Sequence, residues 1–259
     1  RSSHRPSPRT QAGAGLLCGV MDDANYALIA PAQRQALVVA SADMLERPYY
    51  VRYELIEFAV FVLAARGMGL VPLHGACVGR RGRGVLLLGA SGAGKSTLAL
   101  HSLLEGLDFL AEDAVFVDPD RLLATGVGNY LHMKADAQRF VEDAAVRRWI
   151  GAAPMIRRRS GVEKYEADLR QGPGRLAPAP LALVGAVFVS GATAGAGEDL
   201  LGAIPAEQMA ARLAADQPYA AAQPGWNRFV RRLTGLGAYE LRRGAHPREA
   251  VAALQTLLD

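Results

Sequence analysis

The chain has 259 residues, 51% of them hydrophobic and 21% charged, which excludes a disordered polymer and allows one large domain or a domain with a small appendage. Its net charge is +4, yet among its 29 basic residues only Lys95, Lys134 and Lys164 are lysines, and the arginines are scattered in short runs. No aromatic residues interleave those runs, so a nucleic-acid partner is not expected, and a phosphate ligand or an acidic peptide suits the charge better.

Residues 1–12 are rich in Arg, Ser, Pro and His and lack apolar periodicity, so a disordered tail is expected there. Residues 13–72 form a small N-terminal subdomain in this reading. It holds short strands, a helix, and a buried helix from Tyr53 to about Ala65 that stops at Gly67 and Gly69. The core is expected over 73–259. Ala76–Val78 and Val85–Leu88 bracket a glycine- and arginine-rich turn, which predicts a hairpin. A helix follows to about Leu104, ended by Gly106. Phe109 to Val117 predicts one strand carrying Glu112 and Asp113. Strands are expected at 122–125, 130–133, 164–169, 181–189 and 238–241, with helices at 135–150, 205–215, 224–234 and 246–258. Gly191 to Gly197 predicts a flexible loop.

Cys18 and Cys77 are the two cysteines, too few for a disulfide framework or a cysteine metal site, and a reducing cytoplasm is the expected setting. The apolar run Phe58–Ala65 is far shorter than a bilayer span, so no membrane partner is expected. No signal-peptide pattern is visible, and the chain does not open on Met.

The most informative stretch is 84–97. An apolar strand runs into Gly89-Ala90-Ser91-Gly92-Ala93-Gly94-Lys95-Ser96, and Thr97 continues into a helix. A loop that wraps phosphate oxygens must turn successive backbone N–H groups inward, and side chains at Gly92 or Gly94 would obstruct that turn. Lys95 supplies a point charge for the β- and γ-phosphates, and the Ser96 hydroxyl is placed for Mg²⁺. The helix adds its N-terminal dipole. The alternative is a glycine-rich turn that binds nothing. One strand further on, Glu112-Asp113 stands where phosphate-loop proteins carry the carboxylate that holds Mg²⁺. Two carboxylates allow one to hold metal while the other accepts a proton. The alternative is an exposed acidic turn. His74, directly before the first core strand, is more often structural than catalytic on its spacing alone.

In order and spacing, His74-Gly75-Ala76-Cys77-Val78, the loop at 84–96 and Leu110-Ala111-Glu112-Asp113-Ala114-Val115 resemble the catalytic core of HPr kinase/phosphorylase. The resemblance covers about residues 73–118. It implies an α/β fold with a phosphate-loop core of the HPr kinase/phosphoenolpyruvate carboxykinase type on a mixed sheet. It also implies that His74 orients the active-site carboxylate, Glu112 acts as the base, and Asp113 lies near the metal with Ser96. Glu112 replaces the family's Asp, and Thr97 replaces its usual Glu. The downstream signature similar to E-x-R-G-L-G-I is absent; Arg157-Arg158-Arg159-Ser160-Gly161-Val162-Glu163-Lys164-Tyr165 follows instead. That departure speaks against phosphorolysis and against HPr as substrate. It favours the divergent relatives that phosphorylate a serine on ribosomally made peptides such as lasso-peptide precursors.

The reading is therefore a cytoplasmic Mg²⁺-dependent ATP kinase acting on a serine of a protein or peptide, with Lys164 or one of Arg157–Arg159 near the transferred group and self-association open. The alternatives are a small-molecule phosphotransferase and a non-catalytic nucleotide-binding module.

Overall fold

A computed structural model describes residues 9–158, 161–178, 180–195 and 197–259. The chain divides into two compact units, Arg1–Pro72 and Leu73–Asp259.

In the first unit, β1 (Arg9–Gly13), β2 (Leu16–Asp22), β3 (Asn25–Ala30) and β4 (Gln35–Val39) form an antiparallel sheet in that order. Residues 9–12, expected in a tail, thus pair with 17–20, while 1–8 lie outside the described residues. β3 alternates buried and less buried positions, the period of a strand with one covered face. Leu17, Ala27 and Ile29 on the sheet meet Ala59 and Val62 of a helical stretch. That stretch runs over 48–67, longer than expected. It opens on an α-helical turn, Pro48–Tyr50, and its longer α-helical part, Glu57–Val62, lies between two wider-turned segments, Val51–Ile56 and Leu63–Gly67.

The unit boundary falls within β5 (Val71–His74). The second unit is built on a mixed sheet in which β14 (Arg175–Leu176), β8 (Asp108–Ala111), β6 (Ala76–Arg80), β7 (Arg83–Leu88), β15 (Leu181–Thr193), β10 (Leu123–Gly126) and β9 (Ala114–Val117) follow one another. β17 (Ala238–Arg243) pairs parallel to β15, and β16 (Leu201–Ile204) pairs with β17. A separate sheet joins β11 (Tyr130–Met133), β13 (Glu163–Asp168) and β12 (Met155–Arg157).

β6 and β7 form the expected hairpin, turned by Arg81 and Gly82 at φ 54° and 79°. From Gly84 to Leu88, β7 is wholly buried, as a strand covered on both faces must be. It leads into the glycine loop and the helix Lys95–Leu104. Leu98, Leu100 and Leu103 of that helix share a core with Val251, Leu254 and Leu258 of the final helix, Pro247–Leu258, and with Val85 and Leu87. Each such leucine contributes about 1.5–3 kcal/mol by leaving water. The helices Ala206–Asp216 and Trp226–Thr234 pack against each other and bury Met209, Leu213, Phe229 and Leu233.

Three expectations need correction. The strand expected over 109–117 is two, β8 and β9, broken at Glu112-Asp113, because β8 pairs with β6 whereas β9 pairs with β10. The helix expected over 135–150 is a tight turn, Ala135–Phe140, followed by a helix, Ala144–Gly151. Asp143 starts the latter by accepting from the N–H groups of Ala145 and Val146. The loop expected from Gly191 is strand as far as Thr193. Among the described residues, no helix is long and apolar enough to cross a membrane.

Candidate active site

The glycine loop sits where a buried strand ends and a helix begins. Gly89, Gly92 and Gly94 have φ of 127°, 85° and 112°, so each occupies backbone space that side-chain-bearing residues rarely adopt. Lys95 is the first helical residue. It is only 7% exposed, and its Nζ donates back to the carbonyls of Gly89 and Ala90. Burial lowers its pKa, opposed by the charges of Asp216, Asp113 and Glu112. Arg243, at the end of β17, donates from Nη2 to the carbonyls of Gly92 and Ala93, 3.3 and 3.2 Å away.

The loop opens on a cavity of about 620 Å³. Ser91, Gly92, Ala93, Gly94, Lys95, Ser96 and Thr97 line it, as do His74, Glu112 and Asp113. Gly89 is set back from the wall: its carbonyl holds Lys95, and its N–H donates to Asp216 Oδ2 at 3.3 Å. Arg158 and Lys164 also line the cavity. Arg157 does not, and Arg159 lies outside the described residues. Lys134, Arg139, Arg242 and Arg243 add positive charge to the walls.

The two adjacent carboxylates, at the break between β8 and β9, have different surroundings. Asp113 Oδ1 is 3.3 Å from His74 Nδ1, and Oδ2 is 2.9 Å from Arg158 Nη1. Burial alone would raise the Asp113 carboxyl; the His74 hydrogen bond and the Arg158 charge outweigh it and hold the group below the usual carboxylate range. His74 is itself clamped through its backbone. Its N–H donates to Gln217 Oε1 at 2.7 Å, and its carbonyl accepts from Gln217 Nε2 at 2.9 Å.

Glu112 is 5% exposed and turns to a different partner. Its Oε1 accepts from the backbone N–H of His132 at 3.2 Å and lies 3.0 Å from His132 Nδ1. Its Oε2 is buried and has no hydrogen-bond partner among the described residues. Burial raises the Glu112 carboxyl, but the His132 hydrogen bond and charge, with the charge of Lys164, leave it lowered. Glu112 lines a cation-lined cavity, and an ionised carboxylate with a donor-free oxygen can accept a proton from a hydroxyl that reaches it.

His132 and Glu166 were not legible as site residues. His132 Nε2 lies 3.1 Å from Glu166 Oε1, so the imidazole bridges two carboxylates. The one sequence signal was a histidine inside an otherwise apolar strand. Among the described residues, no group of three or more His, Cys, Asp or Glu side chains could hold a metal ion.

No protein-family model and no curated protein matches this chain. Among solved structures it is similar to the HPr(Ser) kinase/phosphatase from Coxiella burnetii, at 13% identity over 72% of this chain and 87% of that one, with a TM-score of 0.31.

Proposed function

We propose that this chain is a Mg²⁺-dependent kinase that transfers the γ-phosphoryl group of ATP to a serine hydroxyl of a protein or peptide. The observation that carries the reading is Glu112, a carboxylate on the wall of the cavity that Lys95 and the glycine loop also line, whose buried Oε2 has no hydrogen-bond partner among the described residues. The departure from the resembled family at Arg157–Tyr165 favours a ribosomally made peptide precursor as acceptor, and the two unpaired cysteines favour a cytoplasmic setting.

The residues fit the triphosphate. Gly92 and Gly94, at positive φ on the cavity wall, turn the backbone so that loop N–H groups can meet phosphate oxygens, and Lys95 stands at the helix start. Arg158 and Lys164 face the same space. The residues also fit Mg²⁺, which binds through one or two protein oxygens together with phosphates and water and needs no all-protein cage. Ser96 and Asp113 would hold it; each Asp113 oxygen keeps lone-pair capacity beside its partner, His74 or Arg158. The ion would neutralise charge on the β- and γ-phosphates.

In the step itself, the serine oxygen bonds to the γ-phosphorus. The bond from that phosphorus to the β–γ bridging oxygen breaks, and ADP leaves with its electron pair. Glu112 Oε2 accepts the serine proton. Lys95, Arg158 and Lys164 face the spreading negative charge, so positioning and electrostatics supply most of the acceleration.

The test is mass spectrometry of the peptide encoded beside this gene, incubated with ATP, Mg²⁺ and either the natural chain or Glu112→Gln. One phosphate gained on a serine with the natural chain, and at least about 100-fold less with Glu112→Gln, is the expected result. Tight ATP binding with no phosphopeptide points to a binding module or a small-molecule acceptor.

A further inference from the structure

From the cavity wall inward, Glu112, His132 and Glu166 form a line of buried polar groups that the phosphate-loop pattern does not require. β11 and β13 pair antiparallel with His132 directly opposite Glu166, so the sheet register sets the two side chains together. His132 is 5% exposed and Glu166 8%. Both ring nitrogens face carboxylate oxygens, Glu112 Oε1 at 3.0 Å and Glu166 Oε1 at 3.1 Å. A carboxylate can only accept, and a neutral imidazole has one N–H. With both glutamates ionised, two good contacts at once therefore require protons on both nitrogens. A cation between two buried carboxylates also leaves less uncompensated charge than a carboxylate pair alone.

Geometry then links Glu166 to the reacting end of Glu112. The Nδ1–H and the backbone N–H of His132 both converge on Oε1, which leaves Oε2 as the oxygen without a donor. If His132 were neutral, its single proton could sit on Nε2 toward Glu166, and Oε1 would lose its side-chain donor.

We propose that Glu166 is a positioning residue that acts through His132: it keeps the imidazole doubly protonated, and the imidazolium holds Glu112 with Oε2 presented to the acceptor. The catalytic part of this statement rests on the kinase reading above; the protonation part does not. Other charges near the ring are Arg158, which opposes its protonation, and Lys164, which faces Glu112. Burial also opposes protonation of His132, and the bonds to Glu112 and Glu166 overcome it, so its pKa is raised.

The test is long-range proton–nitrogen NMR of the full chain labelled with ¹⁵N-histidine at pH 7.5, assigned with His132→Asn. His132 is expected with both ring nitrogens protonated, and in Glu166→Gln with a single proton divided between Nδ1 and Nε2, so that Oε1 loses its side-chain donor in part of the population. A singly protonated His132 in the natural chain overturns the proposal, and that spectrum needs no variant of Glu166. Turnover gives the second readout. Glu166→Gln is expected to lower kcat about 10- to 100-fold with KM for ATP unchanged, the scale seen for partners standing behind a primary ligand. Glu166→Asp should restore part of it. In a His132→Asn background, where the Asn amide can stand in for Nδ1–H, Glu166→Gln should change kcat less than twofold. A full additional loss in that background overturns action through His132. A doubly protonated His132 in a chain that phosphorylates nothing sinks the kinase reading and leaves the relay standing.

Discussion

Arg158 Nη1 lies 2.9 Å from Asp113 Oδ2, joining residues 45 positions apart across two different sheets. A tight turn after β12 delivers the arginine: its N–H donates to the carbonyl of Val162, and its carbonyl accepts from Gly161. The side chains are 16% and 28% exposed, so solvent screens the pair only in part. Arg158→Met removes the charge and leaves Asp113 with His74. We expect a loss of about 1.5–3 kcal/mol, the range for hydrogen bonds to charged groups, read as a lower urea midpoint at pH 7. A midpoint unchanged in Arg158→Met would show that the pair contributes nothing to folding.

Lys95 illustrates a different balance. Its ammonium is buried and donates to two loop carbonyls at the start of the helix, on the wall of the same cavity as the glycine loop. Lys95→Ala should cost at least about 2.7 kcal/mol of transition-state stabilisation, or about 100-fold in turnover. ATP affinity, measured by calorimetry, should fall as well. Near-full phosphotransfer by Lys95→Ala would exclude the mechanism proposed for this cavity.

How much of this was legible in the sequence depends on whether the signal was local. The β6–β7 hairpin, the glycine loop and the helix from Lys95 are local in chain, and each is written in consecutive residues. So is the cap at Asp143, a start signal inside a stretch expected as one helix. The break at Glu112-Asp113 was hidden because apolar residues continue on both sides of it. Only the choice of partners, β6 for β8 and β10 for β9, separates the two strands. His132 and Glu166 were missed for a related reason. They meet through the register of β11 on β13, and register is not encoded in either strand alone. The Gln217 clamp on His74, 143 residues away in sequence, has no local signature at all.

Gly89 tests the loop's backbone. At φ 127° a side chain is strained, and a Cβ there would stand 2.6 Å from the carbonyl oxygen of Val189. Gly106, at φ 84°, has nothing within 4 Å of its Cβ position. Gly89→Ala therefore combines strain with a backbone clash, each worth about 1–3 kcal/mol, whereas Gly106→Ala carries strain alone. Thermal unfolding of both variants should show the larger drop for Gly89→Ala. Equal drops would mean that β15 yields at Val189 without cost.

His101 sets a pH limit on folding that is separate from catalysis. It lies on the helix Lys95–Leu104, is 2% exposed, and its Nε2 has no hydrogen-bond partner. Burial, with the nearby charges of His246 and Arg248, lowers its pKa from 6.5 to about 4; Glu105 and Glu142 oppose that shift. The folded protein thus resists a proton that the unfolded chain accepts. Above pH 6.5 both states are neutral at this site and stability is unaffected. As pH falls from there toward 4, the unfolded state gains protons first, and stability falls. Between pH 7 and 5 the loss from this group is about 2 kcal/mol. Urea unfolding of the natural chain at the two pH values should show it. His101→Leu, which cannot take up the proton, should remove most of that difference, and an unchanged pH slope in His101→Leu would assign the acid sensitivity to other groups.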